Sequence, residues 1–202
     1  MQFLTWGINK PDILEERAKI NETHWAFWDN YEGRLIARGP VLDPSDGKTP
    51  LGSIHIAELD SFDDAKVMAY DEPYAAAGLF RKLILTRFQS ALDKTQFEIE
   101  QRPDKMGFCV YCTAAPGAAD KMPDLQQAHE QYCADHADLF ACRGALLTDD
   151  GTWNGAAFFI EVDDQAAAEK FLAEEPLNTA GLYATTEIVR WRRGGRANAP
   201  KS

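Results

Sequence analysis

The chain has 202 residues, 45% hydrophobic and 26% charged, enough to bury one or two ordinary globular cores. A formal charge of -11 and a pI near 4.8 leave no basic face for phosphates, so neither nucleic acid nor an anionic membrane is an expected partner. No apolar run approaches the ~20 residues of a membrane span and the first residues lack a signal-peptide core, so a cytoplasmic location is expected.

Phe3 to Ile8 reads as a strand, broken by Asn9-Lys10-Pro11. Apolar residues then recur at helical spacing from Asp12 through Ile13, Leu14, Ala18, Ile20, Phe27, Trp28 and Tyr31 until Gly33 stops a first helix. Leu35 to Arg38 forms a second strand, and the turn residues from Gly39-Pro40 to Gly47 a loop. Ser53 to Leu59 is a third strand. Ser61, with Asp64 three residues on, starts a second helix to about Tyr70, and Leu79 to Phe88 is a fourth strand. Ser90 to Lys105 is a polar connector with a possible short edge strand at Phe97 and Ile99. The order then repeats with Met106 to Tyr111, Pro123 to His136, Leu139 to Cys142, Ala156 to Val162, Gln165 to Ala173 and Leu182 to Arg192.

The repeat is also one of identity. At an offset of 105, Phe3, Pro11, His24, Arg38, Gly39 and Leu42 fall on Phe108, Pro116, His129, Arg143, Gly144 and Leu147. At an offset of 103, Gly52, Glu58, Glu72-Pro73, Ala77-Gly78-Leu79 and Arg87 fall on Gly155, Glu161, Glu175-Pro176, Ala180-Gly181-Leu182 and Arg190. The βαββαβ order is that of a ferredoxin-like split βαβ unit, whose sheet needs cover on one face. Two units on one chain supply it, by packing face to face or by joining edges into a barrel-like layer. The expected domains are 1–90, a linker at 91–105, a more degenerate unit at 106–193 and a disordered tail at 194–202. The basic cluster Arg190, Arg192, Arg193 and Arg196 reads as a strand end running into that tail.

All four cysteines lie in the second unit, which does not suit a disulfide framework. Cys109 and Cys112 are three apart in a strand and so point to opposite faces, and no metal site is expected. His24 and His129 sit on the core-facing stripes of matched helices. Asp71-Glu72 and Glu174-Glu175 end the following helices, where carboxylates oppose the macrodipole and need compensation. Solvation is one explanation. The sharper one turns Glu72 inward to orient His24 and raise its pKa, a pair suited to moving protons near neutral pH. Arg38 is either a clamp for a phenolate or carboxylate or a structural strand-end cation. Trp28 and its aromatic neighbours either wall a pocket or pack the core, and His55, matched by Phe158, reads as a plain strand residue.

Thr23-His24-Trp25, Gly33-Arg34-Leu35, Arg38-Gly39-Pro40, Gly52-Ser53, Asp60-Ser61 and Glu72-Pro73-Tyr74 with Ala77-Gly78-Leu79 resemble the YCII-related (YciI-like) domain. His129, Gly144, Gly155, Glu175-Pro176 and Ala180-Gly181-Leu182 resemble it more faintly. The resemblance implies an α+β fold of tandem ferredoxin-like units forming an intramolecular pseudo-dimeric α/β barrel. It also implies an active site on a His and an Asp in a pocket near the sheet, used without metal or organic cofactor in lyase-like steps on hydroxylated or halogenated aromatic rings. Where the family has Asp before Pro-Tyr, this chain has Glu72, with Asp71 one residue early.

The expected function is therefore a small lyase or isomerase acting on a small cyclic or aromatic hydroxylated substrate. Its expected catalytic residues are His24 with Glu72 or Asp71, and Arg38, Ser53, Tyr74 and Trp28 bind the substrate. A weaker second site has His129, Glu175 and Arg143, because Ser53 and Tyr74 become Ala156 and Leu177. The competing expectation is a non-catalytic small-molecule-binding or assembly module of the same barrel type. A haem- or oxygen-using relative is a third reading, without a ligand set beyond the histidines. The pseudo-dimer is expected within one chain, with further homodimerisation left open.

Overall fold

A computed structural model describes residues 1–196. The first unit comprises β1 (Gln2–Asn9), α1 (Leu14–Lys19), α2 (Asn21–Asp29), β2 (Leu35–Leu42), β3 (Pro50–Glu58), α3 (Phe62–Tyr70), α4 (Pro73–Ala76) and β4 (Phe80–Ser90). The second comprises β5 (Met106–Ala114), α5 (Met122–Asp135), β6 (Phe140–Leu147), β7 (Trp153–Val162), α6 (Gln165–Glu174), α7 (Pro176–Thr179) and β8 (Tyr183–Arg190), with short 3-10 turns flanking α5.

Several boundaries differ from the sequence expectation for identifiable reasons. The first helix is two pieces meeting at Ile20, preceded by Asp12 in a left-handed conformation. β2 runs on through Gly39-Pro40 rather than stopping at Arg38, since proline is tolerated on a strand that needs no donor there. The short helices α4 and α7 follow the expected glutamate-proline pairs. The connector, residues 91–105, carries no strand; Gln96 holds it to β2, its N–H donating to Ile36 O at 2.8 Å and its Oε1 accepting from Arg38 N at 3.0 Å.

All eight strands join one sheet in the order β2-β3-β1-β4-β6-β7-β5-β8, so each unit contributes the same four-strand order. Alternation along β3 shows how the layers form. Ile54 and Ile56 face one way, into a core with Leu4, Trp6, Cys109, Tyr111, Phe159 and Trp191 contributed by both units. Ala57 faces the other way, onto α2 and α3, where it packs with Phe3, Trp28, Ala65 and Met68. Phe108, Val110, Cys133, Phe158 and Phe171 form the matching outer layer of the second unit. Cys109 thus lies in the interior and Cys112 in an outer layer. The inside of the barrel is filled with side chains, and helices cover its outside.

Two seams close the ring and obey one pseudo-twofold relation. At the first, β4 pairs with β6, Phe88 opposite Leu146 and Gln89 opposite Ala145, and Ala91 N donates to Arg143 O at 2.9 Å. At the second, Trp191 bridges Val41, Arg192 N donates to Pro40 O at 3.3 Å and Gly194 N to Arg38 O at 2.7 Å. Phe88 and Trp191, Leu146 and Val41, and Ala91 and Gly194 are the positions matched by the repeat. Residues 191–194 are therefore structural, and Arg196 beyond them donates to Asp29 Oδ2 at 2.6 Å and to Glu22 at 2.7 and 3.1 Å. Gly194 and Arg196 of the expected tail thus carry these contacts, and residues 197–202 lie outside the described part of the chain.

Candidate active site

The site is assembled between the helices and the outer face of the first unit's sheet. Along α1 and α2, Arg17, Asn21, His24 and Trp28 fall four, three and four residues apart, one stripe turned toward β3. From β3, Ser53 and His55 share the outward face, two residues apart. These residues are buried, apart from the partly exposed Asn21.

Glu72 reaches the site because it is not a helix C-terminal residue. It caps the N-terminus of α4, its carboxylate accepting from Tyr74 N at 2.9 and 3.0 Å. That places the charge at the favourable end of a helix and answers the macrodipole problem posed by the sequence. Its oxygens stand 3.2 and 3.4 Å from His24 Nδ1. Asp71 ends α3, is exposed, and makes no contact with His24.

Tyr74 stacks on His24 with ring centroids 4.0 Å apart, and Arg17 stands 4.0 Å over the same ring. Two planar groups cannot both occupy one face at that distance, so the phenol lies between imidazole and guanidinium. Its hydroxyl donates to Asn21 Oδ1 at 2.7 Å, and burial pushes its pKa up to about 12. Arg17 donates to Ser53 Oγ at 2.8 Å and to Asn9 Oδ1 at 3.2 Å. Trp28 stacks on His55 at 3.6 Å, nearly parallel, and supports that ring from behind.

A cavity of about 280 Å³ opens over this cluster, lined by Arg17, Asn21, His24, Trp25, Arg38, Ser53 and His55 among others. Gly39 and Pro40 of β2, and Arg192, Gly194 and Gly195 from beyond β8, form its far wall. Trp28 and Tyr74, both expected to bind substrate, are fully buried and do not line it. Trp25, one of the aromatics offered as a pocket wall, does line it; Arg17 and His55 line it too and were not singled out as ligand contacts by the sequence. The spacing of Arg17 with Asn21 and His24, and of His55 with Ser53, carried that signal.

Electrostatics fixes the state of the imidazole. Burial lowers the pKa of His24, the Glu72 carboxylate raises it, and Arg17 and Arg38 lower it again; the net direction is downward, opposite to the sequence expectation. His55, buried, is held well below the usual range by burial and then by its neighbours His24, Arg38 and Arg17. A neutral His24 facing a carboxylate through Nδ1 must carry its proton there. Nε2, without a partner among the described residues, is then the basic nitrogen available to the cavity.

The second unit keeps the pair and loses the surroundings. His129 Nδ1 stands 2.7 Å from Glu175, which likewise caps α7 through Asn178 N. Ser53, His55 and Tyr74 are replaced by Ala156, Phe158 and Leu177, and the position matching Gly195 is Leu92, packed against the outer core. Burial lowers the His129 pKa, but hydrogen bonds to Cys133 and Glu175 outweigh it and push it up to about 9. Arg143 lies 5.4 Å over Phe140, and no contact joins it to His129.

The YCII-related domain profile matches residues 1–89 and again residues 106–192. The chain belongs to the YCII family. Protein YciI of Escherichia coli O6:H1 (strain CFT073) is 32% identical over 95 residues, spanning 44% of this chain and 97% of the relative, which thus has the length of one YCII unit. Among solved structures, 5-chloro-2-hydroxyhydroquinone dehydrochlorinase from Burkholderia phenoliruptrix AC1100, in complex with 2,5-dihydroxybenzoquinone, aligns at 28% identity over 44% of this chain and 94% of its own, with a TM-score of 0.41. A mutant chlorite dismutase from Candidatus Nitrospira defluvii, in complex with cyanide, covers 95% of this chain and 90% of its own at 11% identity, with a TM-score of 0.59. At that identity the likeness shows the fold alone: paired YCII units here form a dimeric α/β barrel within one chain. No helix among the described residues is long and apolar enough to cross a membrane.

Proposed function

We propose that this protein is a proton-transfer enzyme of the lyase or isomerase type, working at the first YCII unit on a small cyclic or aromatic hydroxylated substrate. The observation that carries the reading is the His24–Glu72 pair, a buried imidazole held neutral beside an open cavity with Nε2 as its free base. Nε2 takes a proton from a substrate O–H or C–H. The released electron pair either expels a neighbouring leaving group with its own pair, as in a lyase, or is reprotonated by the imidazolium at an adjacent carbon, as in an isomerase. Glu72 stabilises the imidazolium formed in either case. Arg38 and Ser53 hold the substrate, while Tyr74 and Trp28 position the two imidazoles without touching it. The second unit, with a protonated His129 and apolar replacements, serves the fold.

The test is nitrogen NMR of the His24 ring in the intact protein. The expected result is a neutral Nδ1–H tautomer at neutral pH, with a pKa below the ordinary histidine value of 6.5 that drops further in Glu72→Gln, because the raising carboxylate is gone. A ring already protonated at neutral pH, or one carrying its proton on Nε2, would sink the mechanism. An ordinary, unshifted titration would favour the non-catalytic binding module instead.

A further inference from the structure

Arg17 and Arg193 are both buried arginines, and they are treated differently. Arg193 is neutralised by a two-point ion pair, its Nε 2.6 Å and Nη2 2.9 Å from the Glu161 oxygens. Arg17 has no carboxylate within ion-pair distance among the described residues; its donors meet only the neutral oxygens of Asn9 and Ser53. Its compensation is the Tyr74 ring face and, beyond ion-pair reach, the Glu72 carboxylate that also serves His24, and a buried cation served so thinly is costly to keep unless something else supplies charge. Arg38 is nearly as poorly served. Its Nη1 lies 3.7 Å from Asp29, whose carboxylate is held closer by Arg196 at 2.6 Å. Lys48 and Arg192 are the other cationic side chains of the lining, and no Asp or Glu is part of it, in a chain of net charge -11.

Architecture does not require this cation. The position matching Arg17 is Met122, which packs in one apolar cluster with Leu177, the counterpart of Tyr74. The second unit thus makes the same contact from hydrocarbon. The charge is present only where the cavity is open.

We propose that the His24 cavity takes a small organic anion, with the charged oxygens against Arg17 and Arg38 and the rest of the molecule extending past Ser53 and His55 toward Trp25. This deepens the proton-transfer reading and rests on it for the role of the bound anion as substrate. The two arginines then serve the reaction as well as the binding, because a negative charge that grows on the substrate as His24 removes a proton is met by cations already in place.

The proposal is tested by calorimetric titration of the full chain with 4-hydroxybenzoate, its uncharged amide and ionised 4-nitrophenolate, the last separating phenolate from carboxylate recognition. At least one of the two anions should bind ~10-fold or more tightly than the amide. Arg17→Met, which installs the residue the second unit uses, should erase that preference while leaving the melting transition intact, and Arg38→Gln should reduce it independently. Equal binding of anion and amide, a preference that survives both substitutions, or no binding of either anion at millimolar concentration would overturn the proposal. Any of these, with the His24 tautomer unchanged, would leave the proton-transfer reading standing; an altered tautomer with anion preference intact would do the reverse.

Discussion

His24 and His129 occupy matched positions and face matched glutamates, yet their surroundings drive them to opposite charge states. The contacts are 3.2 Å and 2.7 Å, and the first imidazole is flanked by two arginines where the second has none. The linkage consequence for His129 has a definite sign. Its folded pKa of about 9 lies above the ordinary 6.5, so its stabilisation is complete below 6.5 and is lost as pH rises through about 9. The melting midpoint should therefore fall between neutral and strongly alkaline buffer. In Glu175→Gln, which keeps the helix cap, that part of the fall should shrink, because the Glu175 contribution is gone while that of Cys133 stays; a variant as pH-sensitive as the parent would refute the assignment. The His–Glu pairs were legible in the sequence because both copies keep them. Arg17 and His55 were not, because comparing the copies selects what they share, and these two exist only in the copy with a cavity. Glu72 was legible as a candidate but not its cause, since a cap for a four-residue helix leaves no periodicity to read.

At the scale of elements, the matched glycines mark the seams. Gly144 meets the Gln89 carbonyl and the Phe88 ring where the units join, and Gly39 meets the Arg192 carbonyl and the Trp191 indole at the other closure. A Cβ at either would run into backbone that cannot swing aside. Gly39→Ala and Gly144→Ala should each lower stability by about 1–3 kcal/mol in denaturant titrations, as overpacking does. Only Gly39→Ala should also disturb the cavity, because Gly39 lines it. Loss of stability without perturbed His24 resonances would show that the seam and the cavity wall are independent. β2 was shortened in the sequence reading because Gly39-Pro40 is turn chemistry in isolation. Its extension rests on the β3 ladder, with Gly39 opposite Ile54 and Val41 opposite Gly52, and on Trp191 bridging Val41 from the far end of the chain, a contact that local pattern does not contain.

The whole molecule is tied together by its least expected residues. Arg193 bonds Glu161 and also the carbonyls of Gln96, Ile99 and Glu100, so one side chain joins the end of the second unit to the connector. Arg193→Met should cost about 3–5 kcal/mol, because Glu161 would be left buried without its cation. The double variant with Glu161→Met should recover much of that loss, and no recovery would mean the carbonyl bonds carry the effect. The paired βαββαβ plan was readable from order and identity alone, whereas the arginine run after β8 looked like solvated tail because charge gives no hint of which partners await it. The wall of the His24 cavity contributed by Arg192, Gly194 and Gly195 has a temporal meaning as well. A ribosome makes His24 early and these residues only after nearly the entire second unit has emerged. Until they emerge the pocket is a gap in an unfinished ring, so any ligand that needs that wall must wait for the barrel to shut.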